Sequence, residues 1–296
     1  MKKVLAVLAF AGLATTAMAQ NTGVNLTDGD AFFRFGSTTT TVLFPTTATS
    51  STRLSIDHFV NAGTSGTDLA FDMMWYAGVG TSRTRELTLT GYTSRSVSGS
   101  NSVTYTFANA FGISGLSATV TATLTDNAYG ANTSRLYTSL VLVNNGAAPI
   151  TDLDTFFSID NDIGGSTGDI YLPLQVLGSD RVLVQRDAAV GTGGTNSALI
   201  GHGAVASGAG GFSALNTQLT DTGPDFTTLA DLNSAGTVTT GDYAQFVQWR
   251  NTLGVGQQMS FEADVIGSIG SAVIPTPGSL ALLGLGGFAA ARRRRA

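Results

Sequence analysis

SVTYTFANAF (102–111) and LSATVTATLTD (116–126) decide the fold class. In the first, Val103, Tyr105 and Phe107 fall on one side of an extended chain; in the second, Ala118, Val120, Ala122 and Leu124 repeat the pattern. A period of two belongs to half-buried β-strands, because successive side chains point to opposite faces. The next run, RLYTSLVLVNN (135–145), is apolar on both faces toward its end and reads as a central strand covered on both sides.

The same signal recurs along the chain. Leu174–Leu177, then Gly-Ser-Asp, then Arg181–Gln185 reads as a hairpin with a three-residue loop, and Tyr243–Trp249 reads as pairing with Met259–Ile266 through Gly254 and Gly256. Turn clusters such as SVSGSNS (96–102), NNGAAP (144–149) and GTGGTNS (191–197) separate the strands. Thr, Ser, Gly and Val dominate, whereas Lys and Glu, which favour helix surfaces, are almost missing. Many short strands with Gly-rich turns predict an all-β protein: a single large antiparallel β-sandwich of two packed sheets over residues 20–270. The polar stretch 221–241 reads as a long connection, with at most a helical turn over Leu229–Leu232. No proline-rich linker divides the body, and no internal repeat points to a propeller or β-helix.

Both ends read as export signals rather than fold. Lys2 and Lys3 precede an apolar stretch from Val4 to Leu13, and Ala17-Met18-Ala19 before Gln20 has the small-x-small form of a signal-peptidase site, so residues 1–19 read as a signal peptide. Residues 271–296 run through Pro275-Thr276-Pro277, an uncharged stretch from Gly278 to Ala291, and Arg292, Arg293, Arg294 and Arg295. As a helix the uncharged stretch would be about 21 Å long at about 1.5 Å per residue, shorter than the roughly 30 Å hydrocarbon core of a bilayer. The two prolines bar its regular extension upstream. A marginal span closed by positive charge suits transient membrane association, with the arginines cytoplasmic and the body outside.

In that order of parts, Pro-x-Pro, Leu-Ala-Leu-Leu-Gly-Leu-Gly-Gly and a terminal arginine cluster, the tail resembles the PEP-CTERM sorting signal. It departs from the common form at Thr276, where the signature usually has Glu. The resemblance covers about residues 272–296. It implies processing by exosortase, a membrane protease-transpeptidase of Gram-negative bacteria that make exopolysaccharide, and residence in the envelope or extracellular matrix.

Charge and cysteine narrow the functions further. Outside the two end segments there are 9 basic residues, all Arg, against 20 acidic ones, so the body carries about −11. That balance argues against nucleic acid and anionic lipid as partners. The absence of Cys excludes thiolate catalysis, thiolate metal sites and c-type haem, and leaves stability to burial.

Candidate chemistry concentrates in TDLDTFFSIDNDIGGSTGD (151–169). Asp160 and Asp162 alternate around Asn161, and Gly164-Gly165 allows a fold-back that brings Asp169 near them, which makes these three a candidate calcium set. The EF-hand pattern is not met, and Asp, Asn and Gly also gather at strand ends because they form turns; turn chemistry is the preferred reading. Otherwise no cofactor is expected. The GGSTG run (164–168) matches G-x-S-x-G formally, but no helix follows Ser166, since Ile170–Leu177 reads as a strand with Pro173 in it, so a serine nucleophile is not expected there. His58 reads as a strand residue at a core rim, and His202, between two glycines, as a loop residue. Trp75, Tyr76, Tyr92, Tyr105 and Trp249 read as core aromatics before they read as a sugar platform.

These readings converge on a non-enzymatic exported surface or matrix protein whose partners are signal peptidase, exosortase and exopolysaccharide. The alternative is a calcium- or carbohydrate-binding β-sandwich module. An aspartate-based envelope hydrolase ranks third, because no catalytic constellation stands out.

Overall fold

The computed structural model describes residues 24–29, 31–35, 59–61, 67–68, 72–80, 82–87, 92–129, 133–160, 169–172, 175–177, 180–186, 195–202, 204–206, 209–212, 216–220, 239–241 and 244–269. The expected signal peptide with Ala17, Ala19 and Gln20, and the expected sorting segment with Pro275, Thr276, Pro277 and Arg292–Arg295, lie outside them. So do His58, Asp162, Ser166 and Leu229–Leu232.

The chain shuttles between sheets. It opens with β1 (Val24–Asp28), β2 (Ala31–Phe35), β3 (Phe59–Asn61) and β4 (Thr67–Asp68), a small four-stranded sheet in that order. It crosses to a five-stranded sheet for β5 (Asp72–Val79) and β6 (Ser82–Glu86), then enters a twelve-stranded sheet with β7 (Tyr92–Ser98), β8 (Ser102–Phe107), β9 (Leu116–Asp126) and β10 (Thr133–Asn144). β11 (Ile150–Asp160) returns to the five-stranded sheet. The large sheet then gains β12 (Asp169–Tyr171), β13 (Gln175–Leu177), β14 (Asp180–Arg186), β15 (Thr195–Gly201), β16 (Ala204–Ala206) and β17 (Ala209–Phe212). Alternation finishes the chain, with β18 (Asn216–Thr220) and β20 (Ala244–Leu253) in the smaller sheet and β19 (Thr239–Gly241) and β21 (Gln258–Ile269) in the larger.

Every pairing among the described strands is antiparallel. The described residues contain no α-helix, only a 3-10 turn at Ala110–Gly112. The protein is therefore all-β with antiparallel sheets, an arrangement consistent with a β-sandwich. The small sheet of β1 to β4 is an addition to the two expected layers.

The alternation read from sequence sets the core. Val103, Tyr105 and Phe107 of β8, and Ala118, Val120, Ala122 and Leu124 of β9, are buried on one face. They share a cluster with Trp75 of β5, Phe157 of β11, Val247 and Trp249 of β20, and Phe261 of β21, so the core lies between the two larger sheets. Fully burying an aliphatic or Phe side chain contributes about 1.5–3 kcal/mol, and stacked aromatics add to that. Trp75 packs 4.9 Å from Phe157 and 5.7 Å from Trp249, which packs 5.7 Å from Phe261. The indole N–H of Trp75 donates across the sandwich to Thr138 Oγ1 at 3.0 Å, so this aromatic also has its polar edge satisfied.

Four sequence expectations need correction. β20 and β21 do not pair: β20 lies between β18 and β11, β21 chiefly between β15 and β10, and the connection at Gly254 and Gly256 carries the chain from one sheet to the other. Both strands are apolar enough to be central, and periodicity cannot say in which sheet. The run from Arg135 is a central strand, but only one face is fully buried; Val141 and Val143 on the other are half-exposed. In the hairpin of β13 and β14, Asp180 pairs with Leu177 rather than belonging to the loop. Upstream, the strand expected over Ile170–Leu177 is not continuous, since β12 ends at Tyr171 and Leu172 lies outside any strand.

Two close approaches hold the sandwich together at its loops. Gly115 has φ +77°, and a Cβ there would sit 2.8 Å from Gly146 Cα, so only glycine lets the connections before β9 and after β10 touch. Beside them the buried Asn144 side chain donates to the carbonyls of Ala148 at 2.9 Å and Leu253 at 3.0 Å and accepts from Gly146 N–H at 2.9 Å. With its amide hydrogens and carbonyl all bonded, a fully buried Asn fastens these loops at little desolvation cost.

Candidate functional site

The outer face of the large sheet, turned away from the core, is not uniform. Where β14, β15 and β21 run side by side it is covered: Val182, Val184, Ala198, Ile200 and Ile266 form a second buried cluster, with Tyr129 and Leu172 packed on it. At its margin the register sets Ile200 of β15 opposite Asp264 of β21, and Asp264 opposite Tyr137 of β10. His202 follows directly on β15 and stands over this corner. Its backbone N–H bonds to Glu262 O at 3.0 Å, and its carbonyl accepts the Trp249 indole N–H at 2.7 Å from the opposite sheet. Gly201 makes that possible, since a Cβ there would run into Val247 of β20.

Four charged side chains close on one another at this corner. Arg135 grips Asp264 with two bonds, Nε to Oδ1 at 2.6 Å and Nη2 to Oδ2 at 2.9 Å. His202 Nε2 lies 3.0 Å from Asp264 Oδ2, and its Nδ1 lies 3.3 Å from Asp180 Oδ2. Asp264 is 3% exposed, whereas Arg135 keeps 34% of its side chain in solvent. The Arg135 guanidinium also stands 5.3 Å from the Tyr137 ring centre. Two cations and two carboxylates thus neutralise each other, as buried charges must.

The electrostatics follow from this geometry. Burial alone would pull the His202 imidazole down, but hydrogen bonds to Asp180 and Asp264 and their negative charges outweigh it and raise its pKa to about 10. His202 is therefore an imidazolium at neutral pH, with a carboxylate at each nitrogen. An imidazolium has no lone pair to take a proton, so this histidine is not a general base near neutrality. Burial lowers the Arg135 pKa, but its hydrogen bond to and charge interaction with Asp264 more than reverse that. Burial and the Asp264 charge raise the Tyr129 phenol, and burial with the Glu262 charge and hydrogen bond raises Tyr137, so both stay protonated.

A second carboxylate sits on the far face of the five-stranded sheet. Asp154, fully buried, accepts from Arg250 Nε at 2.9 Å and Nη2 at 3.2 Å and from Gln248 Nε2 at 2.9 Å. It too is closed by its own partners.

The residues singled out from sequence are distributed differently. Asp160 ends β11 in the five-stranded sheet and Asp169 opens β12 in the large one, while Asp162 lies outside the described residues. The register sets Asp72 of β5 directly opposite Asp160, a juxtaposition that nothing in the sequence pattern suggests. Among the described residues no group of three His, Asp or Glu has the arrangement to hold a metal ion. Trp75, Tyr76, Tyr105 and Trp249 are buried and Tyr92 packs against the core, so these aromatics fill the interior. His202 is a loop residue as expected, but its role is not visible in the sequence: Asp264 is 62 residues away and Arg135 lies 129 residues from Asp264. The available signal is a histidine directly after an apolar strand run, SALIGH, which only pairing connects to its acids.

No family model matches the chain, and no curated protein matches it in sequence. Among solved structures it is similar to a bacterial glucoamylase complexed with acarbose, at a TM-score of 0.43 and 11% identity, over 74% of this chain and 29% of that one. It is also similar to a protein named as a kojibiose phosphorylase from the human microbiome, at a TM-score of 0.37 and 10% identity, over 76% of this chain and 26% of that one. The chain spans less than a third of the length of either.

Proposed function

We propose that this chain is a non-enzymatic, exported β-sandwich protein of the envelope or extracellular matrix of a Gram-negative bacterium. On this reading an N-terminal signal peptide helix of residues 1–19 and a short C-terminal transmembrane sorting helix within 271–296 flank the body, and exosortase removes the latter. The observation that carries it is the C-terminal order of Pro275-Thr276-Pro277, an uncharged apolar stretch and four arginines, matched by an export-type N-terminus. The closed charge cluster around His202 supports a structural body, because its imidazolium and carboxylates satisfy one another.

Intact mass of the mature protein from its native host tests this directly. The expected mass begins at Gln20 and lacks Arg292–Arg295. A product that retains the polyarginine end, or is recovered from the cytosol, overturns the assignment.

The second reading, a calcium- or carbohydrate-binding β-sandwich module, rests on the acidic run that holds Asp160, Asp162 and Asp169. Calorimetric titration with calcium chloride, repeated on Asp160→Asn, decides it. Heat that disappears in the variant supports the site, and a flat wild-type titration dismisses it.

A further inference from the structure

At the end of β10 the chain runs Asn144-Asn145-Gly146, which holds the one Asn-Gly pair in the 296 residues. Asparagine before glycine is chemically labile in water, because a glycine nitrogen with no Cβ beside it is open to attack the asparagine side-chain carbonyl. Here Gly146 N would bond to Asn145 Cγ, the Cγ–Nδ2 bond would break, and ammonia would leave with the proton that Gly146 gives up. The cyclic imide so formed takes up water and opens on either side. One opening gives aspartate; the other gives isoaspartate, in which the main chain runs through Cγ and is longer by a methylene. Nothing is oxidised or reduced, and an amide becomes a carboxylate.

In the folded chain the reacting atoms are tied down. The nucleophile, Gly146 N–H, donates to Asn144 Oδ1 at 2.9 Å, and Asn144 is itself fully buried, with its amide hydrogens on Ala148 O and Leu253 O. The amide that has to leave, Asn145 Nδ2, donates to Ser117 Oγ at 2.8 Å. The Asn145 backbone N–H donates to Gly115 O at 2.7 Å, and Gly146 is packed so closely on Gly115 that a Cβ there would lie 2.8 Å from Gly146 Cα. Attack requires the nitrogen to be released and turned onto Cγ, so the corner has to open first. Asn145 is exposed, so the water for ring opening is at hand.

We propose that Asn145 is a self-modification site gated by this corner: the folded chain keeps it as asparagine, and opening of residues 144–146 exposes it to conversion to aspartate or isoaspartate. The change is one-way. Aspartate at 145 has no Nδ2 to donate to Ser117, and isoaspartate lengthens the main chain where Gly115 and Gly146 already touch. Chains that have opened therefore re-close less firmly, and the corner records unfolding as an added negative charge.

Peptide mapping by mass spectrometry tests this on the full-length chain, held at one mildly alkaline pH either folded in buffer or unfolded in urea, with the amide-to-acid mass gain at residue 145 followed over time. Conversion is expected to be about ten-fold or more slower in buffer, since a local opening that costs about 1.4 kcal/mol already gives a factor of ten. Ser117→Ala, which frees the leaving amide, is expected to raise the rate in buffer about three-fold and to leave the rate in urea unchanged; circular dichroism confirms that the variant is folded. Asn145→Asp, the product itself, is expected to unfold at lower urea than wild type. Equal wild-type rates in buffer and urea overturn the proposal. So does a buffer rate that Ser117→Ala leaves unchanged, which would make the protection a general property of being folded, and an Asn145→Asp midpoint equal to wild type overturns the one-way step.

Discussion

The outer face of the large sheet is stitched differently at its two ends. Around β14, β15, β21 and β10 it is held by charge, with Asp264 joining Arg135 and His202, and His202 joining Asp180. Across β7, β8 and β9 it is held by neutral hydroxyls, Ser94 with Thr106, Ser102 with Thr123 and Thr104 with Thr121. The difference follows from cover. At the first end Val182, Val184 and Ile200 are buried on the outer face, and charges at its margin interact strongly because little water screens them. At the second end the face meets solvent, where an ion pair would contribute little and β-branched threonine suits the pleat.

Breaking the charged end should have the largest effect. Asp264→Ala strips the carboxylate from two cations at once and is expected to cost roughly 3 kcal/mol, the lower part of the range for breaking a buried pair, because Arg135 keeps 34% of its side chain in solvent. Urea denaturation at neutral pH measures it; a loss below about 1 kcal/mol would mean that the cluster is no clasp.

A smaller effect, with a sign fixed by linkage, separates the ends by pH. The folded-state pKa of His202 is raised to about 10 from an ordinary 6.5, so its stabilisation is complete below about 6.5, declines above that, and is gone once pH passes about 10. The advantage of wild type over His202→Gln should therefore shrink between pH 6.5 and 10, by at most about 1.4 kcal/mol per pH unit. Paired urea midpoints at pH 6, 8 and 10 check this, and a difference independent of pH would contradict the imidazolium assignment.

The smallest effect belongs to the hydroxyl end. Thr121→Val keeps the branched shape and removes one rung, with an expected cost of about 0.2–1 kcal/mol that does not vary with pH over the same range. A loss as large as that at Asp264 would show that the ladder is more than local trim.

Much of the fold is legible in the order of residues alone. The alternation in Val103, Tyr105 and Phe107 and in Ala118 through Leu124 marks both the strands and the buried face, since the pleat makes side-chain direction a property of position alone. The burial of Trp75, Tyr105 and Trp249 agrees with their reading as core aromatics. Sheet membership is not legible: Trp249 and Phe261 lie on strands joined by a short connection, yet they face each other from different sheets. Nor is the clasp, because Asp180, Asp264 and Arg135 look like ordinary strand and turn residues until pairing brings them to His202.

The sequence by itself determined the all-β class and the inward face of the well-alternating strands, both consequences of local period and composition. Tertiary structure alone decided which strands share a sheet and where two cations and two carboxylates meet. Those outcomes rest on contacts between residues far apart in the chain, where free energy depends on burial and register that no local pattern encodes.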